Sequence, residues 1–239
     1  MLSRQLDSKG RTAPYLPSIF PALARKPGPL CVGIAGASGS GKTTLASALA
    51  RLLLQLNPTV LATDSYYRDL SHLCVTERSA VNFDDPDQLD SALLSEHLRL
   101  LKSGQPIREP LYDFATHTRV RDKSKQIQPG NCLIVEGLFT LCWPDVRGQL
   151  DLKVFISTPE EECLQRRLER DCRERGRSAA SVIAQFEATV RPGNRNFVDP
   201  SKIHADVIVS GQEGIDESLQ RILNSIRRQY LDSLLAVQS

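Results

Sequence analysis

The stretch Gly36-Ala37-Ser38-Gly39-Ser40-Gly41-Lys42-Thr43 has the spacing G-x-x-x-x-G-K-[ST], and its residue types are those that hold a polyphosphate. Glycines let successive backbone N–H groups turn inward around an anion, and the start of a following helix adds its dipole. Lys42 is expected to reach the β and γ phosphates. Thr43, followed by Thr44 at the helix start, offers a hydroxyl to a magnesium ion, which prefers oxygen ligands and keeps several waters. A dinucleotide fingerprint would need G-x-G-x-x-G, and Gly33, Gly36, Gly39 and Gly41 lack that spacing. The expected ligand is a nucleoside triphosphate.

Two acids stand where such a site needs them. Asp64 follows the short apolar run Val60-Leu61-Ala62-Thr63, and Glu136 ends the run Asn131-Cys132-Leu133-Ile134-Val135 before Gly137. If both runs are strands of an open parallel sheet, both acids fall at the carboxyl edge, where ligands bind. Asp64 can hold magnesium or take a proton from a hydroxyl nucleophile, and its alternative role is a helix N-cap. Glu136 reads as a second carboxylate on the magnesium side.

The elements that must position these groups are legible as hydrophobic patterns. Leu30-Cys31-Val32-Gly33-Ile34-Ala35 reads as a buried strand entering the glycine loop. Apolar residues at Leu45, Ala48, Leu49, Leu52, Leu53 and Leu56 give one helical face, closed by Asn57-Pro58. Further strands are expected at 131–137, 152–157 and 205–209, with helices at 90–104 and 216–230. The 90–104 helix has Asp90 as N-cap and Leu94, Leu98 and Leu101 as its buried stripe; His97 is expected on its surface. The last helix should bury Leu219, Ile222, Leu223, Ile226 and Tyr230. Residues 107–121, with aromatics and a histidine near alternate positions, read as an extended hairpin.

The fold class is therefore α/β: a P-loop NTPase-type parallel sheet flanked by helices, with a small β-hairpin insertion and a helical lid. The expected organisation is a basic, proline-rich flexible extension over residues 1–28 and one P-loop α/β domain over 29–239, with the hairpin insertion at about 107–121 and the lid at about 163–190. An organelle transit segment shares the composition of the extension, but prolines at 14, 17, 21 and 27 spoil an amphipathic helix.

Composition limits the partners. A formal net charge of +2 gives no global basic field for nucleic acid or a membrane surface, so any anion site must be local. No apolar run approaches the roughly 18 residues of a membrane helix. Six cysteines without a C-x-x-C pair suit reduced thiols in a cytoplasmic compartment. The densest charge lies between the fourth and fifth strands, where Arg166, Arg167, Arg170, Arg173, Arg175 and Arg177 are interleaved with acids including Asp171. A solvated helix with i,i+4 pairs from Glu162 to Arg166 and from Glu169 to Arg173 accounts for this equally with forked phosphate recognition by a closing lid.

At Asp64-Ser65-Tyr66-Tyr67, Asn82-Phe83-Asp84, Tyr112-Asp113-Phe114 with His117-Thr118-Arg119, and Arg175-Gly176-Arg177, the chain resembles the uridine kinase (uridine-cytidine kinase) family, from about Pro29 to the C-terminal helix. The resemblance implies transfer of the ATP γ-phosphoryl group, with GTP open as a donor, to the 5′-hydroxyl of uridine or cytidine for pyrimidine salvage. It implies Asp64 as the base, with Lys42 and Arg170 completing the catalytic set, and magnesium among Thr43, Asp64 and Glu136. It places Asp84 and Arg167 on the ribose hydroxyls and Tyr112 and His117 on the pyrimidine edge. Phe83 and Phe114, with Tyr67, would wall the base; Arg175 and Arg177 would reach phosphate or substrate, and Gln185 would touch substrate. A cytoplasmic homo-oligomer acting on a small nucleoside follows from the same resemblance.

The chain departs from the family at Asp85, where histidine is usual, at Cys163, which replaces a lid arginine, and at Ser210-Gly211-Gln212-Glu213, which replaces Arg-Gly-Ala-Asp. The last departure leaves the nucleotide donor open. Two alternatives stay on the table: a related kinase of another small alcohol such as phosphoribulose or pantothenate, and a nucleotide-dependent switch or assembly ATPase. The second would be expected to carry D-x-x-G with N-K-x-D, or L-S-G-G-Q, and the chain has none of these.

Overall fold

The computed structural model describes residues 28–236. The expected extension at 1–28 lies outside them except for Gly28, and the burial of Tyr230 also lies outside the described side chains. Five strands form a parallel sheet in the order β2-β5-β1-β6-β7: β1 (Leu30–Gly36), β2 (Pro58–Ala62), β5 (Cys132–Glu136), β6 (Leu152–Ser157) and β7 (Val207–Ser210). All seven residues of β1 are buried, as a central strand covered on both faces requires. Their side chains alternate between two cores.

Leu30, Val32 and Ile34 face Leu45 and Leu49 of α1 (Lys42–Leu52), together with Ile222, Leu223 and Ile226 of the C-terminal helix Ile215–Ala236. Cys31 and Ala35 face the other way, toward Leu94, Leu98 and Leu101 of α2 (Ser91–Lys102) and toward Phe139 and Leu141. The period of two along the strand thus commits each face to its own helix layer. Asp90 caps α2 by accepting from the Leu93 N–H. Among the described residues no helix is long and apolar enough to cross a membrane. All six cysteines are free thiols.

Register carries the consequence for the site. Glu136 is level with Ile34 on one side and Ala62 on the other, so the carboxyl ends of β1, β5 and β2 lie side by side. The glycine loop, Glu136 and Asp64 each leave from one of these ends.

Outside the sheet, β3 (Ile107–Asp113) and β4 (Thr118–Ile127) form an antiparallel hairpin with an irregularity between Pro110 and Tyr112. Its second arm runs six residues past the expected limit at 121. The exposed polar segment Asp122–Gln126 carries no apolar signal, and pairing is secured at the far end by Ile107 against Ile127, both buried. After β6, α3 (Glu160–Arg175) ends at Gly176, whose φ of 63° is a left-handed conformation that glycine adopts without a Cβ clash. The chain reverses there into α4 (Ala179–Gln185) and continues helically, with π turns at Phe186–Val190 and Asn194–Val198, as far as Ser201. That last helical stretch was not expected from sequence. The C-terminal helix, labelled α5, spans Ile215–Ala236, a turn and a half beyond its expected end.

Two expectations are corrected. His97 is buried, not on the surface: its Nδ1 hydrogen-bonds the Tyr66 hydroxyl at 2.9 Å, because the apolar stripe of α2 is wide enough to take position 97 inward. Asp171, in the charge run for which a solvated helix face and a phosphate-binding lid were equally open, is fully buried. Of the two expected i,i+4 pairs, Glu162 with Arg166 forms, while Arg173 pairs with its neighbour Glu174.

Candidate active site

The glycine loop leaves β1 and enters α1 through Gly41. Gly39 is needed for a specific reason: its φ is 85°, and a Cβ there would stand 2.5 Å from the Cys163 carbonyl oxygen, so α3 packs directly on the loop. Lys42 Nζ donates to the Ala37 carbonyl at 2.9 Å, curling the side chain back over the loop. Burial pushes the Lys42 ammonium below its ordinary range, while Glu136 and Asp64 act in the opposite sense. Thr43 Oγ1 donates to Glu136 Oε1 at 2.9 Å. Burial raises the Glu136 carboxyl, and Lys42 counteracts it.

Asp64 lies within the single 3₁₀ turn Thr63–Tyr66, whose N-cap is Ala62 and has no side-chain cap. The N-cap alternative for Asp64 is thereby removed, and its carboxylate is free to face the charges at the strand ends. Thr43, Asp64 and Glu136 could offer a cation one hydroxyl and two carboxylates, of which Thr43 and Glu136 are hydrogen-bonded to each other. Among the described residues no group of three or more His, Cys, Asp or Glu is arranged for a metal. A set this sparse, with room for water and phosphate oxygens, suits magnesium rather than a metal held in an all-protein cage.

Beside the loop is a cavity of about 470 Å³, lined by the 39–45 segment, Arg166, Arg170, Val209, Gly211 and Glu213 among others. Thr44 and Ser40 belong to this lining. Arg166 was not among the expected site residues. It donates to the Gly211 carbonyl at 2.8 Å and reaches the Gly39 carbonyl at 3.5 Å, so it ties α3 to both walls of the cavity. Its position in an alternating charge run gave no sign of this.

On the other side of Asp64 five aromatic rings gather from three separate segments. Tyr67 lies 5.5 Å from Phe83 and 5.2 Å from Tyr112; Phe83 stacks on His117 at 5.0 Å with 17° between planes; Tyr112 meets Phe114 edge-on at 5.2 Å. Tyr67 OH donates to the Phe83 carbonyl at 3.1 Å, which fixes the 82–84 segment against the 3₁₀ turn. Arg119 ties the hairpin to the same turn by donating to the Tyr67 carbonyl at 2.7 Å. His117 adopts a φ of 52°, and burial together with the nearby Arg177 lowers its pKa, so its imidazole is neutral near pH 7. The Tyr112 hydroxyl is shut away from solvent and has no hydrogen-bond partner.

Asp84, next to Phe83 and near Tyr67, is buried, and burial raises its carboxyl above the ordinary range while Thr189 and Arg167 pull it down. Thr189 Oγ1 donates to Asp84 Oδ2 at 2.7 Å, a contact from the π turn that sequence gave no means to find. Arg167, also buried, donates to Ser38 Oγ at 2.9 Å and to Gln185 Oε1 at 3.0 Å. Gln185 also accepts from Arg177. Arg175 lies over the Phe114 ring at 5.5 Å, linking α3 to the hairpin, and neither it nor Arg177 lines the cavity beside the glycine loop. The expected residues thus fall into two adjoining groups, loop with acids and aromatics with Asp84, joined through Asp64 and Arg167.

Such an arrangement can hold a polyphosphate on one side and a flat ring with a hydroxylated sugar on the other, with a carboxylate between them. The family model of "Phosphoribulokinase / Uridine kinase family" matches residues 31–216. A uridine kinase of Alkaliphilus metalliredigens is 41% identical over 203 residues, covering 83% of this chain and 97% of that protein. A uridine kinase of Klebsiella pneumoniae subsp. pneumoniae is 46% identical over 182 residues, 74% of this chain and 85% of that one. Among solved structures, D-glycerate 3-kinase from Cryptococcus neoformans superposes with a TM-score of 0.61 at 19% identity, covering 83% of this chain and 95% of that one, a likeness of fold.

Proposed function

The chain belongs to the Phosphoribulokinase / Uridine kinase family, and from that premise we propose that it transfers the γ-phosphoryl group of a nucleoside triphosphate, ATP, to the 5′-hydroxyl of uridine or cytidine. The observation that carries the pyrimidine nucleoside reading is the aromatic group Tyr67, Phe83, Tyr112, Phe114 and His117 assembled beside Asp64 and the buried Asp84.

Phosphoryl transfer asks the protein mainly to position reactants and neutralise charge. In this reading the backbone of residues 36–41 and Lys42 hold the β and γ phosphates. Asp64 accepts the proton of the 5′-hydroxyl as that oxygen attacks phosphorus. Asp84 and Arg167 grip the ribose diol, whose two hydroxyls match one acceptor and one forked donor. Phe83, Phe114 and Tyr67 limit the slot to a pyrimidine, and Tyr112 and neutral His117 meet its polar edge, while Gln185 keeps Arg167 and Arg177 in register with that edge. Arg170, with Arg175 and Arg177 behind it, draws toward the phosphates as the reaction proceeds. Thr43, Asp64 and Glu136 would hold magnesium, which would neutralise phosphate charge.

Glu213, within the departing segment 210–213, lines the cavity in which this reading seats the donor nucleotide, and GTP is the alternative donor. A cytoplasmic homo-oligomer is the setting this reading implies. The deciding experiment is a coupled assay of ADP release with uridine, cytidine, purine nucleosides and small alcohols as acceptors. Turnover confined to uridine and cytidine supports the proposal. Turnover of a sugar phosphate or other alcohol without uridine or cytidine overturns it, as does hydrolysis that no acceptor accelerates.

A further inference from the structure

Asp171 is fully buried on α3, yet it touches neither cavity nor aromatic site. What it touches is arginine. Arg170 Nε donates to Asp171 Oδ1 at 2.8 Å, Arg175 stands 3.6 Å from the same oxygen, and Arg167 and Arg177 each stand 3.6 Å from Oδ2. The last two are ion pairs without hydrogen bonds, and both Asp171 Oδ2 and Arg167 Nε are buried without a hydrogen-bond partner. The backbone adds to the convergence. The Asp171 carbonyl accepts from the Gly176 and Arg177 N–H groups where the helix ends, so the left-handed turn at Gly176 folds Arg177 back over the carboxylate.

Four guanidinium groups around one carboxylate leave a local excess of three positive charges. Four like charges this close repel one another, more strongly where water is excluded. We propose that Asp171 is a positioning residue that holds Arg167, Arg170, Arg175 and Arg177 together, so that the acceptor-side and donor-side arginines face their substrates as one preassembled set. Arg167 reaches toward Ser38 and Gln185, and Arg170 toward the cavity, so a single carboxylate sets the spacing between the two halves of the site. The 3.6 Å contacts of Arg167, Arg175 and Arg177 mark pairings that can exchange for substrate oxygens without first breaking a short hydrogen bond to Asp171, while the 2.8 Å bond anchors Arg170. The inference rests on the reading of these arginines as contacts to phosphate and substrate.

The test turns on a sign. Asp171→Asn keeps the shape of the side chain and makes the cluster more positive. If charge alone governed binding, ATP would bind more tightly to this variant, above all at low salt. If Asp171 positions the arginines, ATP measured by isothermal titration binds roughly ten-fold more weakly, and kcat falls by a similar factor, because the donors no longer converge. Asp171→Glu, which keeps the charge and changes the shape, should recover part of that loss. Tighter or unchanged ATP binding in Asp171→Asn with unchanged kcat overturns the proposal, and so does a loss that Asp171→Glu deepens. Circular dichroism and thermal melting on both variants confirm that the folded enzyme is being measured. Arg170→Ala separates the two claims: unchanged ATP binding and kcat there means that the arginine reading itself has failed, whereas losses there with a wild-type Asp171→Asn mean that only the positioning role has failed.

Discussion

Tyr112→Phe should make the protein more stable and worse at its task. The Tyr112 ring is held between Tyr67 and Phe114, each at 5.2 Å, and these contacts survive the substitution. The hydroxyl is buried with no hydrogen-bond partner, and burial pushes the phenol up to about 12, so it remains a neutral O–H at any working pH. A buried, unpartnered polar group costs about 1–3 kcal/mol in desolvation, and its removal leaves only a small gap to offset that gain. A net stabilisation of about 1 kcal/mol corresponds to a rise of roughly 2–4 °C in Tm for a domain of this size. In the proposed nucleoside complex the same hydroxyl would meet the polar edge of the pyrimidine. Losing it there leaves a ligand atom unpaired at a cost of about 1–3 kcal/mol, or roughly 5- to 150-fold in uridine KM. Scanning calorimetry without nucleoside and steady-state kinetics with uridine measure the two effects. A variant that melts lower while its uridine KM is unchanged would refute both the orphaned-donor argument and the role of Tyr112 as a reader.

Other residues yield further expectations. Asp64→Asn should lower kcat by roughly 10² or more with ATP binding nearly intact; a near-normal kcat reassigns the base. Uridine KM should rise as pH falls through the region below the ordinary histidine value of 6.5, because His117 has its pKa lowered and protonates only there; His117→Ala should show a higher, pH-independent KM, and a parallel pH profile in that variant removes His117 from recognition. Glu136 has a folded-state pKa raised above its ordinary 4.5, so the native state binds its proton more tightly and stability is lost as pH rises from there through the raised value. Glu136→Gln should therefore melt higher than wild type at neutral pH without ligand while losing the stabilisation that magnesium with ATP gives the wild type; an equal shift in both proteins rules Glu136 out as a ligand.

The donor half of the site was legible because its signals are local. A glycine loop between an apolar strand and a periodic helix spans about twenty residues, and the acids Asp64 and Glu136 stand at the ends of apolar runs that only a strand explains. Parallel register then brings them together without further instruction, Glu136 level with Ala62 and Ile34. The acceptor half was legible only through resemblance. Tyr67 and Phe83 come from segments with no periodic pattern of their own, and the alternation around Tyr112 and His117 predicts a hairpin but not what it faces; their meeting depends on tertiary contacts such as Arg119 on the Tyr67 carbonyl. His97 was misplaced because a histidine on a helix reads as polar, whereas its ring nitrogen is satisfied by the buried Tyr66, adjacent in space but 31 residues away in sequence.

The charge run of α3 shows why the lid resisted. Alternating Arg and Glu is the pattern of a solvated helix, and Arg173 with Glu174 behaves so at the surface. Yet the same run contains Arg167 and Asp171, which are buried, and Arg166, which pins the loop after β7. Composition cannot separate these, because burial of a charge depends on whether its polar partners arrive from elsewhere in the chain. Arg167 has its opposite charge one turn on along the same helix, in Asp171, and neutral Ser38 and Gln185 from other segments accept its N–H groups, while Asp171 gains Arg177 only because Gly176 turns the chain back. The glycine between Arg175 and Arg177 is the one local sign of that reversal. A substitution there has a predictable effect: Gly176→Val forces a β-branched residue into φ of 63°, which should loosen the Arg177 contacts and raise KM for the nucleoside more than for ATP, since Arg177 donates to Gln185 on the acceptor side. Equal loss on both substrates would instead mean that the whole lid, not the Arg177 arm, depends on the turn.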